Sequence, residues 1–264
     1  MELQRVTVPG APDRPCLVAV PDLAPPGGPT IVLNLHGSRS GAGGQRRLSR
    51  MDGLTGRGAI VVFPEGGLHR GFGRAWDLDD DAPYLVTVIE TLHRQYRPAD
   101  PRVVVAGMSG GARMACQLAS LRPDLVRAVG AVGGLRAPSR LSLSRPVPVV
   151  AFHGTADRIN PYGGHSRGEW IESVPEAADA WARANGTEAR ALTDVVASGV
   201  RRTRYGDAGG PEEVALYTID GGGHTWPGGY LGFIGRLLLG RTSREIDATE
   251  LIWTFAMEHG EASR

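Results

Sequence analysis

The chain has 264 residues, 41% apolar and 22% charged, enough to bury a substantial core at a length that α/β domains reach undivided. Its 29 basic and 28 acidic residues leave a formal charge of +1, without the basic excess expected of a protein whose partner is nucleic acid. Two cysteines, Cys16 and Cys116, are too few for a disulfide framework, and their apolar surroundings predict buried free thiols rather than a bridge. The start Met1-Glu2-Leu3-Gln4-Arg5 runs straight into a strand pattern, with no basic segment followed by an apolar signal core. No run approaches the ~18 apolar residues that span a bilayer, so a soluble, cytoplasmic chain is expected.

Residues 3–8 and 16–20 alternate well enough for two leading strands, antiparallel and separated by 9–13. A Pro- and Gly-rich linker over 21–29 opens 30–35, an apolar run of the kind that forms a strand buried on both faces. Similar runs recur at 59–63, 103–106, 126–132, 147–152 and 214–219, with helical patterns between most of them. The clearest helix covers 82–97, where Leu85, Val88, Ile89, Leu92 and Tyr96 share one face. Another runs from about 175 to 185 and stops at Gly186. The last begins at Thr242-Ser243-Arg244-Glu245, a capping-box pattern, and carries Ile246, Ile252 and Phe255. The cluster Arg201-Arg202-Thr203-Arg204 reads as a solvated face or loop. Strands alternating with helices predict one α/β domain over 1–264, a doubly wound, mostly parallel sheet with leading antiparallel strands.

In such sheets the ligand site lies beyond the carboxyl ends of the strands. Four apolar runs are followed there by reactive side chains: His36-Gly37-Ser38, Gly107-Met108-Ser109-Gly110-Gly111, His153-Gly154-Thr155-Ala156-Asp157 and Gly221-Gly222-Gly223-His224. Strand, Gly-x-Ser-x-Gly turn and helix in succession form the pattern of a nucleophile elbow, and the chain order Ser, Asp, His is that of an α/β-hydrolase. A serine hydroxyl is a poor nucleophile on its own. His224 would take the proton of Ser109 during attack and return it to the leaving group, while Asp157 fixes the imidazole tautomer. The backbone N–H groups of Ser38 and Gly110 would form the oxyanion hole. Asp194 and Asp207 are the fallback acids, and His36 and His153 read as braces for their loops, the remaining histidines as surface or lid residues.

No His-x-x-x-His or paired-cysteine spacing points to a metal. The acidic stretch 77–81 resembles a calcium loop only in charge and suits a helix start, and Gly41-Ala42-Gly43-Gly44 lacks the Lys-Ser/Thr pair of a phosphate loop. Neither a metal nor a cofactor is expected. The segment 229–241 follows His224 and is apolar on nearly every side. A lid or acyl-binding wall over Ser109, a dimer contact and core packing are its open readings, with position beside His224 favouring the first. Tyr230 and Phe233 from this segment, with Trp76 and Trp226, would complete a substrate pocket, core packing being the other reading of the tryptophans.

With these residues in view, the sequence resembles the polyhydroxybutyrate depolymerase family of esterases, related to feruloyl and acetylxylan esterases. The stretches that carry the resemblance are Leu35-His36-Gly37, Phe63-Pro64-Glu65-Gly66, Trp76-Asp77, the Ser109 elbow, His153 to Asp157 with Pro161-Tyr162-Gly163-Gly164, and Gly221-Gly222-Gly223-His224-Thr225-Trp226-Pro227-Gly228. The resemblance implies an α/β-hydrolase fold and carboxylic-ester hydrolysis with Ser109, Asp157 and His224 as triad. Many relatives carry Asn or Ala where Gly110 stands, but the donor there is a backbone N–H. Secreted polymer-degrading members add a signal, a linker and a granule-binding domain, so the expected substrate is instead a small soluble ester: a short hydroxyacid oligomer or an aryl or phenolic ester, cleaved through an acyl-enzyme. An acyltransferase or thioesterase with the same triad is the alternative, and a non-catalytic binding protein of the same fold a remoter one. Assembly as a homodimer is left open by the sequence.

Overall fold

The structure, a computed structural model, describes residues 1–23, 25, 27–165, 171–187, 191–206 and 214–259. Two residues, Pro9 and Gly10, turn β1 (Glu2–Val8) into β2 (Ala11–Val20), a tighter hairpin than the 9–13 separation predicted, with Val8 paired to Ala11. There follow β3 (Thr30–Leu35), α1 (Ala42–Ser49), β4 (Ala59–Phe63), a short hairpin of β5 (Leu68–Arg70) and β6 (Gly73–Ala75), and α2 (Asp81–Tyr96). The middle of the chain forms β7 (Val103–Met108), α3 (Gly110–Leu121), β8 (Val126–Val132), β9 (Val149–Gly154) and α4 (Val174–Ala184). Last come β10 (Leu192–Ala197), β11 (Val200–Tyr205), β12 (Val214–Ile219), α5 (Phe233–Leu239) and α6 (Ala248–His259).

The main sheet among the described residues has the order β1-β2-β4-β3-β7-β8-β9-β12-β11-β10. Strands β4, β3, β7, β8, β9 and β12 run parallel, and an antiparallel hairpin closes each edge. Along the parallel strands successive side chains feed opposite layers. Ile60, Val62, Val103 and Val105 pack toward α2, α3 and α4, whereas Val61, Phe63, Val104 and Ala106 pack toward α1 and α6. With both faces covered, almost every position is apolar, which is why these strands read as nearly unbroken runs.

Of the two readings of Arg201 to Arg204, the solvated face is the one found: they lie in β11, and the Arg202 guanidinium meets Asp194 of β10 at 2.7 Å. Side chains on both faces of this edge hairpin are largely solvated, so it carries no apolar period to announce it. One local reading is corrected. The last helix starts at Ala248 rather than at 242, because the carboxylate of Asp247 accepts the N–H groups of Thr249 and Glu250 at 2.8 and 3.2 Å. The Ser243 hydroxyl instead donates to the Glu245 carboxylate at 2.6 Å. A reciprocal capping box does occur at Ser173 and Glu176, where α4 begins.

Cys16 and Cys116 are both free and buried in the larger core layer. Burial pushes their thiols up to about 11 and about 12, which leaves them inert at neutral pH. Among the described residues no helix is long and apolar enough to cross a membrane.

Candidate active site

Strand β7 ends directly in Ser109, and α3 begins at the next residue. Ser109 takes φ 55° and ψ −117°, a strained conformation for a residue with a side chain. Main-chain bonds hold it there: its N–H donates to Val132 O at 2.9 Å, and its carbonyl accepts the Arg113 N–H at 3.1 Å. The flanking glycines follow from close backbone passage. A Cβ on Gly107 would collide with the main chain of Gly111, and one on Gly111 with the carbonyl of Leu35 at the end of β3.

Asp157 lies in the turn after β9, and His224 in the loop after β12. The His224 ring places Nδ1 2.7 Å from Asp157 Oδ2, and its backbone N–H donates to Leu239 O at 2.7 Å. Asp157 Oδ1 accepts two backbone N–H groups, from Ile159 and Asn160, each at 2.9 Å. Burial by itself would raise the Asp157 carboxyl. The hydrogen bonds from His153 and His224, the charge of His224 and the Asn160 N–H outweigh it and hold the carboxyl well below the usual carboxylate range. An ionised Asp157 can only accept, so Nδ1 of His224 carries a proton, and in the neutral imidazole Nε2 is the acceptor. Ser109 and His224 line one cavity of about 540 Å³, together with Ser38, Met108, Ile159, Tyr230, Leu231 and Leu239.

Ser38 and Gly110 stand side by side: a Cβ on Gly110 would lie 2.7 Å from Ser38 Oγ and 3.4 Å from Ser38 N. Two backbone N–H groups, one from the loop after β3 and one from the start of α3, therefore lie beside Ser109. The Ser38 loop rests on His36, which is wholly buried. Burial lowers the His36 pKa, and the ring is neutral, with Nδ1–H donating to Gly37 O at 2.9 Å and Nε2 accepting the Gly66 N–H at 2.9 Å. Its 3.6 Å approach to Glu65 is for that reason not an ion pair. Trp76 Nε1 donates to His36 O at 2.8 Å and the two rings lie 5.0 Å apart, so Trp76 supports this loop while its edge reaches a second cavity. His153 braces the acid's turn, its Nε2 2.7 Å from Asn160 O and 3.4 Å from Asp157 Oδ2.

Other predicted residues lie elsewhere. Trp226 is 0% exposed and packs among the α6 residues, its Nε1 donating to Thr249 Oγ1 at 3.1 Å, so it belongs to the core and not to the pocket wall. Phe233 is 84% exposed and lines neither cavity, since the side of α5 that bears it, Leu237 and Leu238 turns to solvent. Asp194 is held by Arg202 on the outermost hairpin and cannot serve His224, while Asp207 lies outside the described residues. Within 77–81, the buried Asp81 receives Arg14 at 2.7 Å and the N–H groups of Gly67 and Asp77, which makes the stretch a structural joint. Among the described residues no group of three or more metal-ligating side chains occurs. His259 is buried and stacked on Phe255, not at the surface. Sequence reasoning missed Asn160, whose amide donates to Gly133 O at 2.6 Å and ties the acid's turn to the end of β8. Its spacing three residues after Asp157, typical of an Asx turn, was the available signal.

The family model described as Esterase PHB depolymerase matches residues 19–156, just over half of the chain. The chain belongs to this esterase family. The Esterase PHB depolymerase match covers the His36, Phe63, Trp76 and Ser109 stretches of that resemblance, and it makes the chain a carboxylic-ester hydrolase. An esterase-named relative, NocK of Nocardia uniformis subsp. tsuyamanensis, is 26% identical over 259 residues, covering 88% of this chain and 75% of that protein. Feruloyl esterase B of Piromyces equi is 27% identical over 205 residues, covering 67% of this chain but 35% of its own length. Among solved structures, acetyl xylan esterase from Aspergillus awamori gives a TM-score of 0.66 at 20% identity, covering 85% of this chain and 94% of that one. Thermogutta terrifontis esterase 2, in a form phosphorylated by paraoxon, gives 0.63 at 16% identity, covering 100% and 95%. This esterase thus has the α/β-hydrolase fold.

Proposed function

We propose that this esterase cleaves soluble carboxylic esters through an acyl-enzyme on Ser109, with His224 as general base and then general acid and Asp157 as its orienting carboxylate. The observation that carries the reading is the 2.7 Å Asp157–His224 bond beside a strained Ser109 that opens into the same cavity. Attack on the ester carbonyl passes the Ser109 proton to His224 Nε2. The tetrahedral oxyanion meets the N–H groups of Ser38 and Gly110, each such donor being worth about 3 kcal/mol. Collapse releases the alcohol with the proton from His224, and water then repeats the cycle on the acyl-serine. The apolar wall of Leu48, Ile159, Tyr230, Leu231 and Leu239 supports aryl esters or short hydroxyacid oligomers as substrates, and supports reading part of 229–241 as pocket wall. Phe233 and Leu237 face outward from the same segment, and sedimentation of Phe233→Ala tests whether that face pairs two copies.

Labelling with a fluorophosphonate probe should occur in the wild type and vanish in Ser109→Ala. A panel of p-nitrophenyl and feruloyl esters then defines the substrate, and added alcohol acceptors separate hydrolysis from acyl transfer. Equal labelling of Ser109→Ala would overturn the assignment of the nucleophile.

A further inference from the structure

The oxyanion-hole pair has a cavity on either side, and Ser38 and Arg39 line both. The cavity that holds Ser109 and His224 is largely apolar. The other, about 620 Å³, reaches Gly110 and Trp76 and is lined by Arg39, Arg70, Arg113 and Arg136 against one carboxylate, Asp77. That carboxylate already accepts the N–H groups of Asp79 and Asp80, and Arg136 stands 4.0 Å from Glu172. Among the described residues no carboxylate pairs with Arg39 or Arg70.

These cations are set by rigid parts of the fold. Arg113 sits one turn into α3, directly after the nucleophile, and Arg70 sits on the β5–β6 hairpin. Arg39 has φ +64°, a strained value held by its N–H bond to Arg74 O at 2.8 Å and by Gly73, where any Cβ would strike the Arg39 carbonyl. A cleft with fixed charge of one sign concentrates ligands of the other, and guanidinium groups pair with carboxylates through charge-assisted hydrogen bonds.

The stereochemistry of the tetrahedral carbon decides which part of the ester enters. Its leaving oxygen must reach His224, which puts the alcohol on the side of the apolar cavity; the second cavity, which shares Ser38 and Arg39 with the first, is then the space open to the acyl chain. We propose that the preferred acyl group ends in an anion, as in a monoester of a dicarboxylic acid, with its charge held by Arg39 and Arg70. This rests on the reading of Ser109 as nucleophile.

The test compares kcat/KM for p-nitrophenyl monoesters of dicarboxylic acids, from glutaric to suberic, with esters of the same length ending in a neutral amide. At the best length the carboxylate should win by about tenfold, and the preference should shrink to about twofold in Arg70→Gln or in salt on the order of 0.5 M. Arg70 is exposed on its hairpin, and Arg39→Gln, checked by circular dichroism, serves as a second variant. Neutral esters cleaved at least as well at every length, with that turnover lost in Ser109→Ala, would overturn the anionic acyl site and leave the esterase reading standing. A preference for 4-carboxyphenyl hexanoate over its amide instead would move the anion to the alcohol and overturn the acyl assignment, and turnover of none of these esters would overturn both readings.

Discussion

Gly133 packs against the His224 imidazole so closely that a methyl group on its α-carbon would lie 3.3 Å from both Cε1 and Nδ1 of the ring. Gly133 also has φ +58°, a region that side chains rarely adopt. Gly133→Ala should therefore strain the backbone and displace the ring from Asp157, lowering kcat more than it raises KM. Steady-state kinetics on a p-nitrophenyl ester check this; an unchanged kcat would show that the ring tolerates the displacement.

Ser109→Ala, His224→Ala and Asp157→Asn should each lower kcat by roughly 10³ to 10⁶, and the Ser109→Ala/His224→Ala double variant should lose little more, because the three act as a unit. Near-wild-type turnover in Asp157→Asn would show that another acid serves His224.

The depressed Asp157 carboxyl links stability to pH. Its folded value lies below the ordinary ~3.9 of an unfolded chain, so its contribution is complete above about pH 4 and is lost as the pH falls toward the folded value, where only the unfolded chain binds the extra proton. Urea unfolding between pH 6 and 3, conditions on the order of those at which carboxylates titrate, should show the wild type losing stability more steeply than Asp157→Asn. Equal slopes would mean that Asp157 is not specially stabilised as the anion.

Trp226 and Phe233 should separate core from surface. Trp226→Ala should cost about 3–5 kcal/mol by chemical denaturation, whereas Phe233→Ala should stay within about 0.5 kcal/mol. Leu231→Ala and Leu239→Ala, which open the apolar cavity, should raise KM more for aryl esters than for methyl esters. Equal changes on both ester classes would remove these leucines from the pocket.

Nucleophile, proton carrier and oxyanion donors all come from protein groups in the proposed reaction. Dialysis against EDTA should leave kcat unaltered, and restoration of a lost activity by calcium or zinc would contradict this.

The sequence by itself determined the central strands and the elbow. A strand covered on both faces is apolar at almost every position, as β4 and β7 are throughout, and the glycines around Ser109 are demanded by main chain that passes within contact distance. The order Ser109, Asp157, His224 was legible for the same local reason: each follows a strand end. Only the tertiary structure decided which way the aromatic side chains face. Trp226 sits two residues from His224, yet it is core because Thr249 on α6 comes back to accept its indole N–H, a contact no local pattern encodes. Asn34 reads as part of an apolar run but is buried through bonds with Gln45 and Ser49 of α1, which pay its desolvation. Arg39, Arg70, Arg113 and Arg136 each look like solvated charge in their own segment. They become one cationic cavity only when the β5–β6 hairpin, α3 and the turn after β8 converge beside the oxyanion hole, because electrostatic character at a site depends on distances in space rather than on spacing along the chain.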